Sequence, residues 1–338
     1  MPIITDILII GAGPVGLFTV FEAGLLKLRC HLVDALPQTG GQLTEIYPKK
    51  PIYDIPGYPS VLAGELVKNL EEQIAPFKPT YSLGQRAETI EKIDEKMFRC
   101  TTSRGEVIEA PVIAIAGGLG SFEPRKPPLE NIEKFEDKGV DYIIRDPEVY
   151  RGKDILIAGG GDSALDWTIF LAEVANSVSL IHRRTSFRGA LDSVEKVHEL
   201  AAVGRINLIT EAQAIGLEGD DYLTGVKIKS KADGEQVIAV DNFIPLFGLS
   251  PKLGPLANWG LDVEKNAIKV DTLDYSTNIP GIYAIGDINT YEGKLKLILC
   301  GFHEGTIMVQ SAFKRIYPDQ KLSFKYTTVQ GQPQGFEG

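Results

Sequence analysis

Short apolar runs alternate with longer amphipathic stretches in the first third of the chain. Residues 5–10 predict a strand, residues 14–25 a helix and residues 29–33 a second strand, an order typical of a parallel α/β sheet. Over residues 64–75, leucine, valine and isoleucine recur at three- and four-residue spacings, which predicts another helix. The continuous apolar run at residues 112–116 predicts a strand that is buried on both faces.

The same pattern begins again in the middle of the chain, after a loop that contains Pro124, Pro127 and Pro128. The repeated pattern predicts a strand from residue 154, a helix at 162–174 and a strand at 178–181. The chain then returns to the first unit near residues 247–251. There the sequence predicts a strand and turn at 279–287 and a helix at 303–317. Short alternating stretches at 89–93, 97–102 and 106–110 predict a small antiparallel sheet before the link. This order indicates one α/β unit inserted into another.

A glycine-rich sequence follows the first strand of each unit. The first is Gly11-Ala12-Gly13-Pro14-Val15-Gly16, and the second is Gly159-Gly160-Gly161-Asp162-Ser163-Ala164. At a strand-to-helix turn, glycines let the backbone approach a pyrophosphate, and the helix N-terminus offers it free N–H groups. Each sequence therefore predicts a dinucleotide site.

The residues about twenty positions further on differ in charge between the two units. The first unit has Asp34, a carboxylate that accepts hydrogen bonds from a ribose and repels a 2′-phosphate. The second has His182-Arg183-Arg184, followed by Arg188, and arginines attract a 2′-phosphate. We therefore expect a non-phosphorylated dinucleotide in the first unit and NADP(H) in the second. The competing interpretations are a capping aspartate, solvated surface arginines and a neutral, packed His182.

The composition is that of a globular protein with a formal net charge of −10, which argues against nucleic acid and anionic membranes as partners. Cys30, Cys100 and Cys300 are isolated in the sequence and form no CxxC pair. We expect these cysteines to serve as small buried apolar residues in a reducing cytoplasm. Neither the cysteines nor the histidines have the spacing of a metal site. We expect no metal and no signal peptide.

Taken together, the two glycine sequences, the arginines and the stretch Pro280-Gly281-Ile282-Tyr283-Ala284-Ile285-Gly286-Asp287 resemble the two-dinucleotide-binding flavoprotein superfamily. The layout is similar to that of the thioredoxin reductases, which carry a redox-active CxxC just before the second glycine strand. Residues 139–146, at that place, contain no cysteine. The chain therefore resembles the ferredoxin–NADP⁺ reductases of thioredoxin-reductase type.

This resemblance implies an α/β fold of two Rossmann-like domains, with the NADP(H)-binding domain at residues 120–250 inserted into an FAD-binding domain at residues 1–119 and 251–338. It implies FAD and NADP(H) as cofactors, ferredoxin or flavodoxin as partner and a homodimer. For the acidic partner we expect a local basic patch, with Arg125, Lys126, Lys294 and Lys296 as candidates.

The resemblance also assigns site residues. Those expected at FAD are Gly11, Gly13, Pro14, Val15, Gly16, Asp34, Gln42, Tyr47, Ala87, Phe122, Asp287, Tyr326 and Thr328, and those expected at NADP(H) are Gly159, Gly161, Asp162, Ser163, His182, Arg183, Arg184 and Arg188. Tyr47 is a candidate for stacking on the flavin, with core packing as its alternative. Tyr326 has tail anchoring as its alternative. No catalytic acid or base is expected, because hydride transfer depends on placement of the two rings.

Three other functions compete with ferredoxin reduction. A disulfide reductase needs the missing dithiol, an NADPH oxidase or diaphorase would pass electrons to oxygen or quinone, and a non-catalytic sensor would bind both nucleotides without turnover. Reduction of bound FAD by NADPH separates the sensor from the enzymes, and dependence on added ferredoxin separates the reductase from the oxidase.

Overall fold

The computed structural model describes residues 1–322, 327 and 334–336. The chain forms two compact units, Met1–Ser121 with Pro251–Gly338 and Phe122–Ser250. Both are α/β units built on a parallel sheet, which confirms the predicted fold class. In the described residues, no helix is long and apolar enough to cross a membrane.

The first unit, which we call unit 1, is organised by a five-stranded parallel sheet. Its strands, in spatial order, are Ile282–Ala284, Val112–Ile115, Ile7–Ile10, Cys30–Asp34 and Thr80–Leu83. Residues 7–10 and 112–115 are all buried, as expected for strands covered on both faces. The first glycine sequence leaves the carboxyl end of the central strand.

Smaller sheets complete unit 1. The antiparallel sheet predicted from the alternation consists of Ala87–Lys92, Phe98–Thr102 and Val107–Ala110, with Ile3–Ile4 added in parallel at its edge. The remaining strands are Val263–Glu264, Ala267–Lys269 and Asn289–Thr290 in one sheet and Pro51–Ile52 with Val61–Leu62 in another.

The chain has six α-helices in its described residues: α1 Pro14–Leu25, α2 Gln42–Glu45, α3 Ala63–Ile74, α4 Asp162–Leu171, α5 Leu191–Ala202 and α6 Ile298–Ile316. Short 3₁₀ turns lie at Ala75–Phe77, Ile132–Phe135, Pro147–Tyr150, Gly254–Asn258 and Gly286–Ile288. Helices α1, α3 and α6 pack on one face of the unit 1 sheet around a core that includes Leu17, Leu70 and Met308. Helix α1 has the bounds that its pattern predicted, whereas α6 begins at Ile298 and not at residue 303.

The second unit, unit 2, repeats the plan on a smaller scale. Its parallel strands, in spatial order, are Asn207–Thr210, Ser177–His182, Asp154–Gly159 and Asn242–Leu246. An antiparallel sheet follows, made of Ala212–Gly219, Leu223–Ser230 and Gly234–Ala239. Helix α5 was not predicted. Val197 is its one fully buried residue, and Val194 and Leu200 are partly buried beside it. The connecting segments Ser121–Pro124 and Leu249–Lys252 pair as a two-stranded ribbon.

Candidate dinucleotide-binding sites

The glycines of the first turn are required by close backbone approach. Gly11 has φ +112°, and a Cβ on it would lie 2.4 Å from the carbonyl oxygen of Ala116. A Cβ on Gly16 would lie 2.1 Å from the carbonyl oxygen of Gly11, so α1 can pack this closely only with glycine there. At Gly13, by contrast, a Cβ would meet no described atom within 4 Å. Gly13 is the N-cap of α1 and no side chain caps it, so no capping side chain occupies the N–H groups of the first helical turn.

Asp34 holds this turn from the neighbouring strand. Its Oδ2 accepts the N–H of Ala12 at 2.7 Å, and its Oδ1 accepts the N–H of Leu36 at 2.9 Å. Burial raises the pKa of the Asp34 carboxyl, although the two backbone hydrogen bonds oppose that rise. Each carboxylate oxygen keeps a second lone pair, so the group can still accept ribose hydroxyls.

The loop with α2 returns to the same turn. The N–H of Gly40 donates to the carbonyl of Ala12 at 2.8 Å, and a Cβ on Gly41 would lie 3.3 Å from the Cα of Gly13. Gln42 extends its Nε2 to within 3.3 Å of the position a Cβ would take on Gly118, beyond the end of strand Val112–Ile115. The structure therefore brings Gln42 to the carboxyl edge of the sheet.

Tyr47 and Asp287 are linked by electrostatics. Burial raises the pKa of the Tyr47 hydroxyl, and the carboxylates of Asp287 and Asp54 raise it further. Tyr47 packs partly against the apolar core, so its core-packing and ligand-stacking roles are not exclusive. Asp287 lies in the 3₁₀ turn Gly286–Ile288, where burial raises its pKa while Lys296 and Lys294 oppose the rise.

Behind the Asp287 turn lies Glu304, a fully buried carboxylate that the sequence analysis did not single out. Its side chain pairs with Lys294, whose own side chain is 6% exposed. The expectation that Lys294 belongs to a surface basic patch is therefore wrong, because this ammonium is buried against an opposite charge. Lys126, another candidate for that patch, pairs with Glu136 in unit 2.

The structure gives no ligand-facing geometry for the remaining residues expected at FAD. Ala87 is buried at the start of strand Ala87–Lys92, opposite Thr102 in the small antiparallel sheet. Phe122 lies in the connecting ribbon, and its side chain is outside the described part of the chain, as are Tyr326 and Thr328.

The second glycine turn, in unit 2, uses its glycines in the same way. A Cβ on Gly159 would lie 2.5 Å from the Cβ of Ala164, and one on Gly160 would lie 2.1 Å from the ring of His182. Gly161 is the N-cap of α4, has no capping side chain and would place a Cβ within 4 Å of no described atom. This helix N-terminus is open as well, with Ser163 exposed in its first turn.

His182 supports this turn from beneath. It is 8% exposed, its Nε2 lies 3.1 Å from the carbonyl oxygen of Ser186, and its ring stacks on Phe187 with centroids 4.8 Å apart. Burial lowers the pKa of His182, and the charges of Arg183 and Arg184 lower it further. The structure thus shows His182 packed beneath the turn, with its ring nitrogen engaged by the loop.

The loop that begins with Arg183 and Arg184 returns to the glycine turn at Arg188. The N–H of Arg188 donates to the carbonyl of Gly160 at 2.8 Å, and the N–H of Ala190 donates to Oδ1 of Asp162 at 2.7 Å. Arg183, Arg184 and Arg188 are exposed. An open helix N-terminus beside exposed guanidinium groups is suited to a phosphorylated ligand.

Comparisons with known proteins identify the family of the chain. Residues 5–305 match the family described as Pyridine nucleotide-disulphide oxidoreductase. Ferredoxin–NADP reductase 1 of Christiangramia forsetii is 69% identical over 337 residues, which is 99% of this chain and 95% of that protein. The ferredoxin–NADP reductase of Flavobacterium johnsoniae is 64% identical over 335 residues, again 99% of this chain and 95% of that protein. A solved structure of Lactococcus lactis thioredoxin reductase has a TM-score of 0.80 at 25% identity, covering 93% of this chain and 99% of that one.

The chain thus belongs to the pyridine nucleotide-disulphide oxidoreductase family of two-dinucleotide oxidoreductases, with a thioredoxin-reductase-like fold. Within it, the chain groups with the ferredoxin–NADP reductases, and the resemblance found from its motifs is confirmed.

Proposed function

We propose that unit 1 binds FAD, that unit 2 binds NADP(H), and that the protein exchanges electrons between NADP(H) and ferredoxin. The observation that carries the proposal is the contrast between the two glycine turns. In both, no side chain caps the helix N-terminus, but a half-buried carboxylate, Asp34, stands beside the first and exposed arginines stand beside the second. This contrast favours a different dinucleotide in each unit.

At FAD, the first turn and the N-terminus of α1 receive the pyrophosphate, and Asp34 accepts the adenosine ribose. Gln42, Tyr47 and Asp287 line the carboxyl edge of the sheet, where the flavin end belongs. Bound FAD takes up two electrons together and releases them one at a time, which suits a one-electron partner. Ala87, Phe122, Tyr326 and Thr328 remain in this site by family resemblance.

At NADP(H), the turn Gly159–Gly161 and the first turn of α4, with Asp162 and Ser163, receive the pyrophosphate. Arg183, Arg184 and Arg188 hold the 2′-phosphate, since guanidinium groups bind phosphate by paired hydrogen bonds. We give His182 an indirect role, because its ring is buried beneath Gly160 and fixes the arginine loop.

The electron partner is proposed to be ferredoxin, or flavodoxin in its place. The absence of a dithiol in the sequence leaves disulfide reduction without its chemical group. With Lys294 and Lys126 engaged in ion pairs, Lys296 and Arg125 are the remaining candidates for contact with an acidic partner. The protein is also proposed to work as a homodimer in the cytoplasm, which sedimentation and cell fractionation would test.

The decisive experiment is cytochrome c reduction by NADPH with and without added ferredoxin. We expect the rate to depend on ferredoxin. Rapid reduction without ferredoxin would instead identify a diaphorase, and bound FAD that NADPH fails to reduce anaerobically would identify a nucleotide sensor.

A further inference from the structure

We propose that Glu304 is a positioning residue for FAD binding and that it acts by fixing the turn that carries Asp287. The inference rests on the proposed function, since it takes unit 1 as the FAD site. Glu304 lies on α6, is fully buried, and has its carboxylate hydrogen-bonded by residues of the chain itself, so we give it no direct contact with the ligand.

The contacts of Glu304 tie down both ends of the turn. Its Oε2 accepts the backbone N–H of Gly286 at 2.6 Å and the Nδ2 of Asn289 at 2.8 Å. The same Nδ2 donates to the carbonyl of Ala284 at 2.9 Å, while the Oδ1 of Asn289 has no partner among the described residues. The carbonyl of Ala284 and the carboxylate of Glu304 thus set the orientation of the Asn289 amide. Asp287 lies between Gly286 and Asn289, the two residues that Glu304 holds.

The other oxygen of Glu304 closes the network. Its Oε1 accepts the hydroxyl of Tyr291 at 2.9 Å and also the ammonium of Lys294. All four hydrogen-bonding positions of the carboxylate are therefore used. Lys294 balances the buried charge, without which a buried carboxylate would be strongly unfavourable.

The packing of α6 against α1 explains why Glu304 reaches the turn. A Cβ on Gly301 would lie 2.4 Å from Cγ2 of Val15, and a Cβ on Gly305 would lie 2.6 Å from Oγ1 of Thr19. The two glycines let the helices approach closely and place Glu304 next to the backbone of Gly286. Gly286 also packs against Val15, so one helix contact connects the Asp287 turn with the first glycine turn.

The competing explanation is that the Lys294–Glu304 ion pair only stabilises unit 1. A double-mutant cycle with Asp287 separates the two, because a positioning effect needs the Asp287 carboxylate and a general loss of stability does not. The dissociation constant of FAD would be measured on apoprotein by flavin fluorescence quenching for wild type, Glu304→Gln, Asp287→Ala and the double variant.

We expect Glu304→Gln to weaken FAD about tenfold, the scale of one lost hydrogen bond to a charged group. In the Asp287→Ala background the same substitution should have little further effect. Losses that multiply in the double variant, or wild-type affinity in Glu304→Gln, would overturn the proposal. Wild-type apoprotein that binds no FAD would count against the proposed function instead.

Two further variants control for charge and for folding. Glu304→Gln with Lys294→Met removes both members of the ion pair. If FAD affinity returns to the wild-type value, an unpaired lysine caused the loss and the positioning role is wrong. Glu22→Gln, the control, changes a partly buried carboxylate of α1 that is hydrogen-bonded with Thr306 of α6. It should leave FAD affinity unchanged, and the unfolding temperature of each apoprotein shows how much stability was lost.

Discussion

The two glycine turns share a backbone plan but differ in what surrounds it. In unit 1, Asp34 is drawn into the turn and accepts two backbone N–H groups, so one carboxylate both shapes the site and is available to a ribose. In unit 2, the buried ring of His182 packs against Gly160 of the turn, and Asp162 accepts the N–H of Ala190 from the following loop. The neighbouring arginines remain exposed. Under the proposed roles, one residue both shapes the first turn and selects its ligand, whereas several residues divide these tasks in the second turn.

This difference has a physical origin. A carboxylate can accept backbone N–H groups and ribose hydroxyls together, because it offers several lone pairs. A guanidinium group that is to bind a phosphate must keep its donors free, so other residues must hold the loop. Substitutions in unit 2 should therefore separate selectivity from stability, whereas those at Asp34 should change both.

The largest expected effect is on coenzyme selectivity. Replacing Arg183 and Arg184 together with Ala removes charge-assisted hydrogen bonds worth about 1.5–3 kcal/mol each. The KM for NADPH should rise by one or more orders of magnitude, while the KM for NADH and the unfolding temperature change little. Steady-state kinetics with both coenzymes measures this, and equal weakening of the two would contradict a 2′-phosphate site.

A second comparison uses two glycines of the same turn. Gly16→Ala places a methyl group 2.1 Å from the Gly11 carbonyl oxygen and should cost about 1–3 kcal/mol of unfolding free energy. Gly13→Ala has room in the described structure, so the apoprotein should keep its stability and lose FAD affinity because the methyl group meets the pyrophosphate. Thermal unfolding of both apoproteins, with FAD titrations, measures the difference. Equal stability of the two variants would contradict the close approach of α1.

FAD binding should depend moderately on pH, because the Asp34 carboxyl in unit 1 titrates. Burial raises the pKa of Asp34 above its ordinary value, and ribose hydroxyls are held best by the ionised form. Protons therefore compete with FAD, so affinity should fall as the pH drops through this raised pKa. FAD titrations of wild type and Asp34→Asn would measure it. The variant should bind more weakly at neutral pH and show a smaller pH dependence, and an unchanged profile would contradict the ribose role.

The smallest effect is expected at His182. Because its pKa is lowered by burial, the ring is already neutral near pH 7, and NADPH binding should show no titration of this group between about pH 6.5 and 8. His182→Ala should raise the KM for NADPH only a few-fold, through a loosened loop. A loss as large as that of the arginine variant would show that the ring binds the phosphate directly.

Much of this architecture was predictable because it depends on local sequence. The start of α1 follows from Pro14 and its length from a largely apolar run, and the two parallel sheets follow from short runs of isoleucine and leucine. Helices α2 and α5 were not predicted, for different reasons. Helix α2 is a single turn that follows Gly40 and Gly41, both at positive φ, and α5 has only Val197 fully buried.

The network around Glu304 was missed, although one signal was present. A glutamate lies between Gly301 and Gly305, on the side of α6 that also carries the buried Met308. A charged residue on the buried side of a helix needs a partner of opposite charge, but the sequence does not show which nearby lysine is that partner. Lys294 and Lys296 lie two residues apart and carry the same charge, and the structure buries Lys294 against Glu304.

By itself, the sequence determined the class of fold, the two dinucleotide turns and the opposite charges beside them. These depend on residue types at fixed spacings along one strand, turn and helix. The tertiary structure alone decided which charged side chains are buried, which remain free, and which residues support a turn from behind. Those outcomes depend on segments far apart in the chain, whose mutual approach sets the desolvation and the hydrogen bonds of each group.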